Sequence, residues 1–390
     1  MTNAKVISNN NIAILGCSYS GMLMALSLAH HGIASHIIEK QKCEKNFFLD
    51  PRTTSITYSS KNFLEQINIW PDLEPLSAAV KEIYILDNKN PDQLHLTNKE
   101  RHNLGYMIAN QDLKQSLFKL VKNHDLIKLT EQSGYDEINF ISNQCQIKLS
   151  NQNELSTELT IVADGKNSLA RSKYFPYLIN KDYGQVAFVF NVEHAKAHEN
   201  CAIEHFLPTG PFAILPLVSQ NQSAIVWSVK IDFARAYNHL NHQDFTNVIQ
   251  EIFGEFLGKI KIITPISKFN LSAQIVQNYF LNNMVLIGDS AHSIHPLAGQ
   301  GLNQGMKDIQ ALSSIIMQCY SNNLNITHSE LARYETMRKA DNFKMFLATD
   351  CLDRVFSNNL QIVQVIRKTG FKVLNIFPGL IDKIIDYGIN

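Results

Sequence analysis

The stretch from Met284 to Tyr320 limits what this chain can fold into more than any other. Met284 to Ile287 is a short apolar run that reads as a buried strand, and Gly288-Asp289 ends it. Gly299 and Gly301 then leave the backbone bare just before a helix. Leu302, Met306, Ile309, Leu312, Ile316 and Tyr320 recur at helical spacing on one face of that helix, while Lys307, Asp308 and Gln310 fall elsewhere. The pattern predicts a strand that delivers one carboxylate, followed by a glycine loop that opens the N–H groups of a helix N-terminus. Such a terminus favours a negatively charged group.

The rest of the chain supplies a nucleotide-binding counterpart. Ile12 to Leu15 reads as a buried parallel strand, followed by Gly16-Cys17-Ser18-Tyr19-Ser20-Gly21 and a helix over 22–31. Gly32 stands where a helix C-cap would, and a second strand runs from Ser35 to Ile38, ending at Glu39. This is the pattern of a βαβ dinucleotide unit, with the acidic residue placed for a ribose hydroxyl. Ser18 occupies the position where a second glycine usually lets the backbone approach a pyrophosphate. Its hydroxyl either donates to phosphate or crowds it.

Composition sets outer bounds. The 390 residues are 45% hydrophobic, enough for two or three domains. Lys+Arg and Asp+Glu are both 35, so no net charge draws the chain to nucleic acid. Six scattered cysteines form no Cys-x-x-Cys pair, which predicts neither a zinc site nor a disulfide framework and fits a reducing compartment. No apolar run approaches the ~18 residues that span a bilayer. Lys5 precedes an apolar region, but Ile12 to Leu15 is shorter than the ~7–15 residues of a secretory core, so no cleaved signal is expected.

Taken together, these motifs resemble the single-component flavin aromatic hydroxylases, and most narrowly the ubiquinone-biosynthesis hydroxylase family. The run Gly288-Asp289 through Pro296, Gly299, Gly301, Leu302 and Asn303 is similar to that family's second FAD motif. The resemblance implies that Asp289 binds the ribityl chain and that Pro296 to Gly301 lies along the isoalloxazine ring. It also extends to Asp50-Pro51-Arg52, where Arg52 would lie against the flavin, and to Asn110-Gln111-Asp112-Leu113, where many relatives carry Arg in place of Asn110. Asn110 reads equally as a plain helix N-cap. Asp164-Gly165 resembles the Asp-Gly motif associated with FAD and the transient NAD(P)H, although Asp-Gly is also an ordinary turn.

From Gly184 onward the texture becomes that of β-strands. Val186, Phe188, Phe190 and Val192 alternate, as do Ile225, Trp227, Val229 and Ile231, and Pro208-Thr209-Gly210-Pro211 reads as a turn between two strands. Gly210 to Leu217 and Val226-Trp227-Ser228 are similar to the ubiquinone hydroxylases specifically. The expected fold is therefore α/β, a Rossmann-like FAD-binding domain (1–181 and 275–345) with an inserted, mainly antiparallel substrate sheet (182–274) and a C-terminal helical region (346–390).

The resemblance implies non-covalent FAD, NAD(P)H as co-substrate, and O2 used to hydroxylate a polyprenylated phenol. It implies a cytoplasmic protein, peripheral on the inner face of a membrane and associated with a quinone-synthesis complex. Phe371, Leu374, Ile381 and Ile385, with Lys368, Lys372 and Lys383, offer an apolar and basic C-terminal surface for such contact, or for packing on the FAD domain. No metal cluster and no nucleophilic constellation appears. The catalytic acid or base is not identified, and His292 and His295 read as structural or as a proton-transfer pair. Two alternatives stay open: a flavin hydroxylase of another small aromatic, and a non-catalytic subunit of a quinone-synthesis complex.

Overall fold

A computed structural model describes residues 11–44, 50–87, 93–97, 103–141, 144–295 and 299–356. The chain opens with β1 (Ile12–Leu15), α1 (Tyr19–His30) and β2 (Ser35–Ile38). Gly32, at φ +75°, takes the left-handed turn that ends α1. Then come β3 (Thr53–Thr57), α2 (Tyr58–Gln66), α3 (Trp70–Leu73), β4 (Ser77–Val80), β5 (Glu82–Asp87), β6 (Leu94–Thr97), β7 (Gly105–Ala109) and α4 (Asn110–Lys122). After β8 (Ile127–Thr130), a meander of β9 (Tyr135–Ile141), β10 (Gln144–Leu149) and β11 (Glu154–Thr157) leads to β12 (Leu159–Val162) and α5 (Leu169–Tyr174).

The second half is built around β13 (Leu178–His194), β14 (Cys201–Leu207), β15 (Gly210–Pro216) and β16 (Gln222–Lys230). Two helices, α6 (Ile231–Tyr237) and α7 (His242–Phe253), precede β17 (Ile260–Ile262) and β18 (Ser267–Val276). The chain then returns through β19 (Phe280–Leu281), β20 (Met284–Leu286) and β21 (His292–Ser293) to the long helices α8 (Gln300–Ser321) and α9 (His328–Phe356).

Two sheets organise these elements. The first has the order β19-β20-β12-β1-β2-β8, and its pairings are parallel apart from β19 on β20. Its strands are apolar on both faces: α1 and α4 pack on it, and the meander β9-β10-β11 adds Ile138, Cys145, Ile147, Leu149 and Leu155 to the same core. The second is nine-stranded, with the path β21-β18-β13-β16-β15-β14-β5-β6 and β17 beside β13. A small sheet, β3-β7-β4, touches α8 through β3 and the second sheet through β4 and β15.

The second sheet has unlike faces. Phe188, Phe190, Phe212, Ile214, Ile225, Trp227 and Val229 pack on α6 and α7 and are fully or almost fully buried. The opposite parity carries Ala187, Val189, Ala213, Leu215, Val226, Phe269 and Leu271. Leu215, Val226 and Phe269 keep part of their surface open, although β16 lies in the middle of the sheet. Close packing would seal such positions; here the face borders a cleft.

Some details depart from the sequence reading. The sheet recruits β5 and β6 from outside 182–274, β5 running parallel to β14. β13, β18 and α9 each span one of the limits expected at 181/182, 274/275 and 345/346, and the pairing of β13 with β18 shifts register between Asp182 and Gln185. Ile231 does not continue the buried row of β16: the strand ends at Lys230, and Ile231 starts α6 at 41% exposure. The six cysteines are free thiols. The C-terminal positions from Lys368 to Ile385 lie outside the described residues.

Candidate active site

The loop after β1 is forced to be glycine-rich by close packing. Gly16 has φ +105°, and a Cβ there would sit 2.6 Å from the Ala163 carbonyl oxygen. A Cβ on Gly21 would sit 2.0 Å from the Gly16 oxygen. These contacts press the start of α1 onto the ends of β1 and β12. Ser18 is the exposed N-cap of α1, and its hydroxyl makes no capping bond. The first turn holds no acidic residue, so its N–H groups meet no carboxylate of their own helix. At the end of β2, the Glu39 carboxylate accepts from Cys17 N at 2.7 Å and Gln41 N at 2.9 Å. Two backbone donors thus fix it beside the loop, with lone pairs to spare.

Asp289 sits across the parallel sheet in the turn Gly288–Ser290 that follows β20. Gly288 has φ +57°, and its position leaves 2.5 Å between an added Cβ and Ser20 Oγ, so the turn lies directly against α1. Asp289 is solvent-exposed, yet protein surrounds its carboxyl group. The protein packed around it pushes its carboxyl pKa up, and His292, Arg52, Lys166 and Arg171 pull it back. Arg171 is buried and donates to the carbonyls of Asp289, Ser290, Gly165 and Lys166, tying this turn to the loop after β12. In that loop Asp164 Oδ2 accepts from Tyr135 Oη at 2.8 Å and Leu169 N at 3.2 Å, while its Oδ1 is buried without a partner among the described residues. Gly165, at φ +81°, borders open space.

Arg52 reaches the cleft from the other side. Asp50 receives both its Nε and Nη2 at 2.7 Å, and its guanidinium lies 5.0 Å from the centre of the Phe269 ring. Burial would raise the Asp50 pKa, but Arg52 and Asn110 hold it below the usual carboxylate range. Asn110 is not the N-cap of α4, which is Ala109. Its amide instead donates to Asp50 Oδ2 at 3.0 Å and accepts from Thr54 Oγ1 at 2.5 Å. The asparagine therefore fixes the partner of Arg52, and among the described residues Arg52 is the cation paired with Asp50.

The start of α8 meets β3. Gly299 takes the left-handed conformation (φ +62°), with a would-be Cβ 2.9 Å from Ser55 Cβ. Asn303 is fully buried: it accepts from Thr57 N at 3.0 Å and donates to Ser55 O at 2.8 Å and Gly299 O at 3.2 Å. Its side chain holds β3 to α8. Leu302 packs on the main core, and Gly301 faces open space. Pro296 lies outside the described residues. The structure thus brings Arg52 and Asp289 within electrostatic reach of each other, ties the Asp164-Gly165 loop to the Asp289 turn through Arg171, and leaves Gly165 and Gly301 bordering open space. Gly16, Ser18 and Gly21 lie where β1 gives way to α1, with Glu39 bonded to their loop.

The sequence reading missed the support beneath this floor. Asp308, placed off the apolar stripe of α8, is completely buried. It accepts from Gly288 N (2.9 Å), His292 Nε2 (2.5 Å), Arg338 Nε (2.8 Å) and Asn342 Nδ2 (3.2 Å). Burial alone would raise its pKa; His292 and Arg338 outweigh that and hold it at about 2. Arg338 and Asn342 stand four residues apart on α9, one turn of one face, which is the sequence signal that was available. His295 is also buried, next to Gln185 and edge-on to Tyr183. Burial pushes its pKa down to about 4.

The site fits a flavin dinucleotide. A bare helix N-terminus, a ribose-height carboxylate, a deep exposed aspartate ringed by cations and a second helix start bordering open space are the donors and acceptors such a group needs. Comparison with known proteins agrees. A family model described as FAD binding domain matches residues 9–345. The chain is 30% identical over 364 residues to the ubiquinone hydroxylase UbiL of Rhodospirillum rubrum, covering 92% of this chain and 85% of that one. It is 28% identical over 371 residues to the 3-demethoxyubiquinol 3-hydroxylase of Escherichia coli, covering 92% and 93%. The solved p-nitrophenol 4-monooxygenase PnpA of Pseudomonas putida shares the fold at a TM-score of 0.80, with 13% identity and 98% of both chains covered.

Proposed function

The chain belongs to the FAD-binding-domain family and, within it, to the hydroxylases of ubiquinone biosynthesis; from that premise we propose that it hydroxylates the aromatic ring of a polyprenylated phenol, using FAD, NAD(P)H and O2. The observation that carries the reading is the meeting of two unlike walls. One is polar and carries Asp289, Arg52 and the start of α8; the other is the half-open apolar sheet face of Val226, Leu215 and Phe269. A redox cofactor suits the first wall and a greasy phenol the second.

FAD supplies the hard chemistry, activation of O2 after reduction by NAD(P)H. The protein's own residues hold, orient and keep dry. The α1 N-terminus with Ser18 would hold the pyrophosphate, Glu39 a ribose, Asp289 the ribityl chain, and the α8 N-terminus the ring edge where negative charge gathers. Arg52, locked by Asp50, would lie against the ring.

No helix among the described residues is long and apolar enough to cross a membrane. We place the reaction at a membrane surface because an isoprenoid tail partitions into lipid, so the ring must be drawn from it into the cleft. The test is quinone extraction from strains lacking single ring hydroxylases. Restored ubiquinone in one strain, lost again with Asp289→Ala, supports the reading. A soluble, FAD-loaded, NAD(P)H-reducible protein that rescues none of them overturns it in favour of another aromatic substrate.

A further inference from the structure

Glu204 is an acid set in a mainly apolar stretch of the sheet. It lies in β14 with Ala202 and Phe206 on its face and Ile85 and Ala213 directly beside it, followed across the sheet by Val226 and Val189. This is the face that borders the cleft. At one end Val80, Leu104 and Met107 cover it, packing on Ala202, Ile83, Leu96 and Leu215. Glu204 stands one step beyond that cover, where partial exposure begins. The small side chain of Ala213 leaves room above it.

The carboxylate has no hydrogen bond or ion pair among the described residues, although most of the residue is shielded from solvent. The charged groups around this face are elsewhere: Asp87 lies two positions along on β5, buried beside Phe206, and Arg52 with Asp50 lies over Phe269 on β18. An acid in apolar surroundings without a partner is costly unless a ligand supplies one.

We propose that the Glu204 carboxylate receives the phenolic hydroxyl of the substrate, accepting its hydrogen bond and so orienting the ring within the cleft. This rests on the functional reading above. The phenol O–H donates to a Glu204 oxygen; as the proton moves toward the carboxylate, the phenol oxygen gains negative charge and the ring gains the electron density that oxygen insertion needs. After reaction the same proton returns to that oxygen, so nothing is consumed. Burial alone raises the Glu204 pKa to about 7, making it a better proton acceptor than an ordinary carboxylate.

The test uses FAD-loaded protein and two probes, 2-geranylphenol and its methyl ether, with binding followed by the change in flavin absorbance. The wild type should bind the phenol at least ~10-fold tighter than the ether, the scale of one hydrogen bond to a charged group. Glu204→Leu should abolish that preference while leaving FAD affinity unchanged. Glu204→Gln should keep part of it, because an amide oxygen still accepts. Equal binding of both probes by the wild type, or an undiminished preference in Glu204→Leu, would overturn the assignment and leave the FAD hydroxylase reading standing. A wild type that loads no FAD, or binds neither probe, would overturn both.

Discussion

Asp308→Asn tests whether the buried network under Asp289 holds up the cofactor floor. The substitution keeps the shape and removes the charge. Wild-type Asp308 faces His292 and Arg338, all three buried, and Arg338 also donates to Gln304 and Asn342. Taking away one partner of such a cluster leaves buried positive charge without an opposite, a cost of ~3–5 kcal/mol. At ~2.1 cal/mol/K per residue, 390 residues give an unfolding entropy of roughly 0.8 kcal/mol/K. The melting temperature should therefore fall by roughly 4–6 °C. Arg338→Met should cost less in the Asp308→Asn background than alone, because the two residues act as a unit. The pH dependence follows from the sign of the shift. Asp308 is held at about 2 in the fold and titrates near ~3.9 when unfolded, so its contribution is full above pH ~4 and is lost as pH falls toward 2. Calorimetry of wild type and both variants from pH 7 to pH 3 reads all of this. A melting temperature within ~1 °C of wild type for Asp308→Asn at pH 7 would refute the argument.

Other outcomes follow from the same geometry. Asp289→Ala should weaken FAD binding roughly ten- to hundredfold, the worth of a charge-assisted hydrogen bond, as read by fluorescence titration of the apoprotein; unchanged affinity would remove Asp289 from the site. Ser18→Gly should hold or tighten FAD binding if the serine only crowds the phosphates, and weaken it by ~1 kcal/mol if the hydroxyl donates; the same titration distinguishes them. Gly288→Ala should sharply reduce FAD loading, because its φ of +57° and a Cβ 2.5 Å from Ser20 Oγ both disfavour any side chain, and Ser20→Gly should restore part of the loss by removing the clash. The flavin should be released on denaturation, since the resemblance singles out no residue for a covalent link.

Much of the fold was legible because it is written in local pattern. The alternation from Val186 to Val192 and from Ile225 to Val229 marks a sheet face that the structure buries against α6 and α7. The glycines of the first βαβ unit mark backbone contacts too close for a Cβ. The pairing of β5 with β14 was not legible, because no local signal joins residues more than 100 positions apart in parallel register. Asp308 was misjudged for a different physical reason. A helical stripe assumes one buried face and one wet face, but α8 packs against α1 and β3 on one side and α9 on another. A position off the stripe is then still interior, and a carboxylate there must find cations, which α9 provides in Arg338.

Glu204 carries no signal in the sequence, because strand alternation marks the parity that lies in the core and leaves the other parity to water. In this sheet the second face turns toward the parallel-sheet body and its cleft. Around Glu204 it is lined mainly by Ala, Val, Leu and Phe on β13, β15, β16 and β18, of which Leu215, Val226 and Phe269 keep part of their surface open. A glutamate in a face of that composition contradicts both readings of the strand: it is too apolar a setting for a solvated charge and too polar a residue for packing. Such a local conflict between side chain and surroundings is where function is expected to reside. The strand parity that buries Ile203 against α6 and α7 is what turns Glu204 the other way, so the assignment stands or falls with the register of β14 against β15. A one-residue slip of that pairing would send the carboxylate into the aromatic core beside Trp227, and the protein would not fold around it.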